Sequence, residues 1–309
     1  YLRSSWHTKF RSKKNPYGIW PGKIQIAGNR ATHYRKWPAQ LHPILYTTSE
    51  GFLSENVGQS PRYFYICRPK FHSMKPDLFE SPDYYNLDDL LTEEHKLIRS
   101  AARDWVKRDV SPIIEEAAQK AEFPKSIIPG LAEIGAFGPY IPEEYGGSGL
   151  DQISYGIIMQ EIERGDSGVR STASVQSSLV MYPIWKYGTE EQRKKFLPKL
   201  ATGEWMGSFG LTEPDHGSNP GGMVTNFKDK GDHYLLNGAK LWISNSPFCD
   251  VAVVWAKSEE GRIHGLIVER GMEGFSTPET HNKWSLRASA TGELIFQDVK
   301  VPKENLLPN

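Results

Sequence analysis

Two stretches bring together residue types that could hold a flat, polar-edged ring. The first is Phe209-Gly-Leu-Thr-Glu-Pro-Asp-His-Gly-Ser-Asn-Pro-Gly-Gly222. Glycines at 210, 217, 221 and 222 let the backbone turn and let a ligand approach the main chain. Consecutive amides in such a loop can form an anion-binding nest, to which Thr212 and Ser218 add hydroxyls. The second is Lys240-Leu-Trp-Ile-Ser-Asn245, where a period-2 strand puts Trp242 and Ser244 on one side. An aromatic face beside a hydroxyl, following such a loop, suggests a flavin. The plainer alternatives are a glycine-rich β-turn and a core tryptophan beside a solvent-facing serine, and short motifs leave both open.

A third stretch, Gly165-Asp-Ser-Gly-Val-Arg-Ser-Thr-Ala-Ser-Val-Gln-Ser-Ser178, sets one arginine among small and hydroxyl residues. Arg170 there could supply a fixed bidentate partner for a carboxylate. It could equally close a structural ion pair with Glu163 or Asp166, and the pattern alone favours the pair. Glu143 and Glu144, in the glycine-rich loop Ile141–Leu150, could suggest acid–base chemistry, but adjacent loop glutamates are usually solvated.

The elements that must position these residues divide into two kinds. From Thr92 to Gly203 the apolar spacing is helical. Thr92 reads as an N-cap for a helix with Leu97, Ile98, Ala101, Trp105 and Val106 on one face. Ser111-Pro112 repeats a start signal, Ile127–Ala136 and Asp151–Glu163 continue the pattern, and another helix runs from Val169 towards Tyr187. Thr189-Glu-Glu-Gln192 is a capping box opening a helix with Phe196, Leu197 and Leu200. From Glu204 the period becomes alternating, with strands expected at 204–211, 223–229, 233–236, 240–244, 250–257, 263–269 and 292–298. The fold class expected is therefore α+β and multi-domain. An all-α helical bundle at 74–203 precedes a small antiparallel β-barrel or sandwich at 204–309.

At 309 residues the chain has room for about two domains. Its formal net charge is zero, but residues 1–73 hold twelve Lys/Arg against two Asp/Glu, so the remainder is acidic. That balance argues against nucleic acid as a partner. Cys67 and Cys249 are the only cysteines and show no metal-site spacing, so no metal is expected. No apolar run approaches a membrane span. Residues 1–73 lack sustained periodicity and are expected to be a non-native or disordered extension, with Met74 as the native start. They make no convincing transit peptide, which favours a bacterial cytoplasm over the mitochondrial matrix.

Four motifs in order carry a resemblance from about Thr92 to the end of the chain. Pro142-Glu-Glu-Tyr-Gly-Gly-Ser-Gly149, Gly210-Leu-Thr-Glu-Pro-Asp-His-Gly-Ser218, Leu241-Trp-Ile-Ser244 and Leu286-Arg-Ala-Ser-Ala-Thr291 resemble the acyl-CoA dehydrogenases, which are FAD enzymes. Asp166-Ser-Gly-Val-Arg-Ser171, Ser174–Met181 and Ser285–Gly292 look most like the glutaryl-CoA dehydrogenase branch. The resemblance implies that Phe209, Gly210, Leu211, Thr212, Gly217 and Ser218 wrap the FAD. It also implies that Trp242, Ile243 and Ser244 flank its ring, and that Arg170 and Ser171 meet the substrate's distal carboxylate, with Ser218 touching the acyl-CoA. The reaction implied is α,β-dehydrogenation by a carboxylate base and the flavin. For glutaryl-CoA, decarboxylation to crotonyl-CoA follows, and electrons pass to an electron-transferring flavoprotein. Asn219 stands for the family's usual aspartate and His216 for a usual small residue. The family's C-terminal helical domain, which supplies the catalytic base and most of a homotetramer interface, is expected to be absent, so no base is assigned. The chain then reads as a fragment, inactive alone. A short- or branched-chain acyl-CoA dehydrogenase is an alternative, and a non-catalytic FAD or acyl-CoA-binding module is one of another class.

Overall fold

The computed structural model describes residues 83–308, which lie within the second of two compact units, Lys70–Asn309. The expectations for residues 1–73, for Met74 and for Cys67 fall outside the described residues.

The first half is helical because its start signals are strong and its apolar residues recur at helical spacing. Helix α1 (Glu93–Trp105) opens on a complete capping box between Thr92 and His95. Its buried face is His95, Ala102 and Trp105, whereas Leu97 and Ala101, expected on that face, are exposed. A π-helical turn, Val106–Val110, follows and resets the helical phase. Ser111 is no N-cap: its hydroxyl donates back to the Val106 carbonyl, and α2 (Ile114–Lys120) starts three residues later. Helix α3 (Ile128–Glu133) leads into the glycine-rich loop. Helix α4 (Gln152–Gly165) is capped by the Asp151 carboxylate, which accepts from the Ser154 amide, and its Ile153 is exposed.

The expected helix after Val169 is three pieces end to end: α5 (Ser167–Ser174), a π-helical stretch Val175–Met181, and α6 (Tyr182–Tyr187). The π stretch turns two polar side chains into the core. Ser177 donates to the Ala136 carbonyl at 2.6 Å and accepts from the Gly138 amide. Gln176 donates to the carbonyls of Leu200 and Trp205 and accepts from the Gly207 amide at 2.7 Å. Helix α7 (Glu190–Ala201) starts on the Thr189–Gln192 box.

The second half is one seven-stranded sheet, mostly antiparallel. Its strands are β1 (Gly207–Gly210), β2 (Asn226–Asp229), β3 (His233–Ser244), β4 (Val251–Lys257), β5 (Ile263–Glu269), β6 (Phe275–Ser276) and β7 (Thr291–Pro302). The order is β1-β4-β2-β3-β7-β6, with β5 on β4. Two pairings break the expected antiparallel pattern, because β1 and β2 both run parallel to β4. Since β5 fills one edge of β4 along its length, β1 and β2 share the other edge. The chain leaves that edge after Gly210 and rejoins it at Asn226, so the glycine-rich loop is spliced into a strand line. The two short strands expected at 233–236 and 240–244 are a single strand with irregularities at Leu236/Gly238 and Lys240/Ile243. Gly238 is required at the first, since φ is +138° and a side chain there would meet the Thr225 backbone at 2.7 Å.

One hydrophobic core runs through both halves, joining Trp105, Phe137, Ile162, Met181, Phe196 and Leu197 to Val251, Val253, Ile267 and Leu307. A second cluster, around Leu236, Val254, Leu266, Leu294 and Phe296, fills the sheet.

Candidate functional site

The irregularity at Lys240/Ile243 shapes the site. It gives β3 an extra residue, so Lys240 and Ile243 are both buried while Trp242 is 59% exposed. Trp242 takes φ +62°, an unusual conformation for a bulky residue. A bulge re-aims a side chain, and this one turns the indole out of the sheet. Trp242 and Ser244 border the same two recesses with Ile243 buried between them, as their shared side of a strand would have it, although Trp242 reaches that side from a left-handed rather than an extended backbone.

One recess, about 180 Å³, is lined by Val175, Leu179, Phe209, Leu211, Thr212, Trp242, Ile243 and Ser244. Six of the nine residues expected to hold a cofactor meet there, facing the π-helical stretch. The other recess, about 460 Å³, takes Ser171, Trp242 and Ser244 together with the loop 280–291. The Ser171 and Ser244 hydroxyls lie 3.5 Å apart, joining an expected substrate residue to an expected cofactor residue. Trp284 is fully exposed and Leu286 half exposed at the rim. Lys283 holds this loop by donating to the Leu286 and Ser289 carbonyls and to the Thr291 hydroxyl, and its burial pushes the ammonium pKa down. Arg287 pins the same loop to the end of α2 through the Ala118 and Gln119 carbonyls.

The remaining expected residues sit elsewhere. Gly217 and Ser218 are exposed on the loop beyond Thr212 and border neither recess. Gly210 is buried, and the space a side chain would take is filled by Leu294, Lys240 and Val254. The Arg170 Nε donates to Glu163 at 2.6 Å and its Nη1 to Ser174, so the ion pair that pattern favoured is present. Burial opposes that charge on Glu163, but Arg170 and Ser167 outweigh it and hold the carboxyl below its usual range. Glu143 and Glu144 are exposed. Glu161 is buried against Arg103, at 2.9 and 3.0 Å, a structural partner rather than a free base. Cys249 is buried, and among the described residues no acidic, His or Cys cluster could hold a metal. No helix among them is long and apolar enough to cross a membrane.

Sequence reasoning passed over Glu213 and Lys240, although both lie inside the two motifs. Lys240 Nζ sits 2.8 Å from Glu213 Oε1 and donates to the Leu211 carbonyl, with both side chains fully buried. The available signal was a lysine flanked by Ala239 and Leu241 within a strand otherwise read as packing. Burial pushes both charges towards neutrality. For Glu213, hydrogen bonds from Lys240, Thr225 and Val224 reverse this and bring its pKa to about 2, whereas burial wins for Lys240 and lowers its pKa.

A helical half and a curled sheet, meeting at an exposed tryptophan ringed by hydroxyls, define the class. The family model of the acyl-CoA dehydrogenase N-terminal domain matches residues 92–204, and that of the middle domain matches residues 208–299. Through these two domains the chain belongs to the acyl-CoA dehydrogenase family. It is 43% identical over 222 residues to the caffeyl-CoA reductase-Etf complex subunit CarC of Acetobacterium woodii, covering 70% of this chain and 58% of that protein. It is 38% identical to a glutaryl-CoA dehydrogenase of Desulfococcus multivorans, covering 72% and 59%. A crystal structure of a glutaryl-CoA dehydrogenase from Mycobacterium smegmatis in complex with FADH2 superposes with a TM-score of 0.71 at 41% identity, covering 72% of this chain and 57% of that one. The chain thus spans less than two thirds of the length of these relatives.

Proposed function

We propose that the chain is the N-terminal and middle part of an FAD-dependent acyl-CoA dehydrogenase acting on glutaryl-CoA. The exposed Trp242, which lines one recess together with the hydroxyl residues Thr212 and Ser244 and the apolar Phe209, Leu211 and Ile243, fits a flat ring with polar edges. These residues would hold the flavin, which when bound supplies a hydride acceptor. Apolar Val175 and Leu179 from the helical half line the same recess and would help to exclude water from a ring bound there.

The observation that carries the substrate reading is the turn of α5 bearing Arg170 and Ser171. Ser171 borders the recess beside Ser244, and Arg170 is the adjacent residue, its guanidinium oriented by Glu163. A guanidinium fixed through Nε by Glu163 and through Nη1 by Ser174 keeps its remaining N–H groups as donors for a distal carboxylate. Loss of carbon dioxide from the oxidised acid then yields crotonyl-CoA. The catalytic base, the homotetramer and delivery of electrons to an electron-transferring flavoprotein belong to the whole protein. The name of the Acetobacterium relative, a subunit of an Etf complex, supports that partner.

In the full-length protein, Arg170→Ala should lower kcat/KM for glutaryl-CoA about 10- to 100-fold, the scale of a lost hydrogen bond to a charged group. Turnover of butyryl-CoA, which has no distal carboxylate, should change far less. Equal losses on the two substrates would refute the glutaryl-CoA assignment.

A further inference from the structure

The loop between Gly210 and Asn226 leaves and rejoins one edge of β4, so something other than strand pairing must set its shape. The only ion pair with both partners fully buried, among the described residues, lies at its neck. Glu213 accepts from the Val224 amide at 2.7 Å through Oε2 and from the Thr225 amide at 3.0 Å through Oε1. That clasps the outgoing limb of the loop to the returning one. Lys240, from β3 beneath, donates to Glu213 at 2.8 Å and to the Leu211 carbonyl at 3.1 Å. The Leu241 amide adds a bond to the Thr212 carbonyl at 2.9 Å. Leu211 and Thr212, two residues that line the recess beside Trp242, are therefore held from below by Lys240 and its neighbour. Close packing secures the lysine stem, since Gly210 leaves the space it passes through and Gly238 lets β3 approach Thr225.

We propose that Glu213 and Lys240 are positioning residues that fix the glycine-rich loop, and with it Leu211 and Thr212, in the shape that receives the flavin. A buried ion pair adds little net stability, because desolvation offsets the attraction, but it can select one arrangement among several. Here it selects the register of a loop that is rich in glycine and makes few backbone pairings of its own. The proposal rests on the flavin reading for its ligand only; the anchoring is a property of the chain itself.

Removing one partner alone strands a buried charge and can prevent folding. The informative protein is the full-length double variant Glu213→Gln/Lys240→Met, which is neutral and close in volume. A glutamine at 213 also presents an NH2 group to an amide that itself donates. Amide hydrogen exchange without added flavin should then rise about tenfold or more across 211–225 while β4 and β5 stay protected and the melting transition is retained. FAD affinity, followed by flavin fluorescence, should fall about tenfold because the loop is no longer preorganised. Unchanged exchange across 211–225 would overturn the proposal. So would a rise spread evenly over all strands with loss of the melting transition, since the pair would then be ordinary core. A wild-type protein that takes up no FAD, yet whose variant loosens only at 211–225, would overturn the flavin reading and uphold the anchoring.

Discussion

Gln176 joins three places that the sequence keeps far apart: the end of α7 at Leu200, the turn at Trp205 and the first amide of β1 at Gly207. It is fully buried, so no water can replace these bonds when the side chain is lost. Gln176→Leu would strip the Trp205 carbonyl and the Gly207 amide of their side-chain partner and leave the Leu200 carbonyl only its bond from the Gly203 amide, which should cost about 3 kcal/mol. A urea titration should show a lower midpoint with an unchanged slope; a midpoint within error of the parent would refute this bridging role. At this scale the sequence was half legible. Thr212, Trp242 and Ser244 stood out by type, Phe209, Leu211 and Ile243 entered only through the resemblance, and all six line one recess. Gln176, Glu213 and Lys240 did not, because the worth of a buried polar residue depends on partners brought to it only by folding. Arg170 shows the same limit from the other side. Pattern raised both a carboxylate partner and an ion pair with Glu163 or Asp166 and favoured the pair, which forms with Glu163; only the resemblance favoured the carboxylate.

Elements were legible where a local signal fixes them. The capping box at Thr189 and the N-cap at Thr92 both form as read, and at Thr92 the His95 side chain adds a reciprocal bond that the sequence did not signal. The phase of the helices was not, because the two π-helical stretches each alter the register on which a helical face is read. Likewise the parallel pairing of β1 and β2 with β4 leaves no mark in strand alternation. The second box makes a graded prediction. Thr189→Ala removes one cap bond to the Gln192 amide and should cost about 1 kcal/mol. Gln192→Leu removes the reciprocal bond to the Thr189 amide and also two bonds to the Glu304 and Leu306 carbonyls, which dock the end of the described chain on α7. It should cost more, about 2 to 3 kcal/mol. Equal losses from the two variants, in paired urea titrations, would mean that α7 uses Gln192 only as a cap.

Across the whole described unit, the helical and sheet halves share a core, and Gln176, Gln192 and Arg287 tie them by hydrogen bonds. They should unfold together, with helical circular dichroism and tryptophan fluorescence giving coincident transitions. Acid should drive that transition. Backbone and side-chain bonds from Ser154, then His95, bring Asp151 from 3.8 to about 2. Burial works against Glu213, yet its hydrogen bonds from Lys240, Thr225 and Val224 bring it from 4.5 to about 2. Depressed carboxylates are ionised in the folded protein while the unfolded chain binds protons, so stability rises with pH across that interval. Their contribution is fully present above about pH 4.5 and is lost as the pH falls towards 2. Asp151 is half exposed, and solvent screening leaves it a minor share; Glu213 should dominate between the two. Urea midpoints should therefore be level from neutrality to about pH 4.5 and fall steeply below it. The Glu213→Gln/Lys240→Met protein, which lacks that carboxylate, should lose less over the same interval. A parent and a double variant that lose stability in parallel would show that the acid sensitivity lies elsewhere in the molecule.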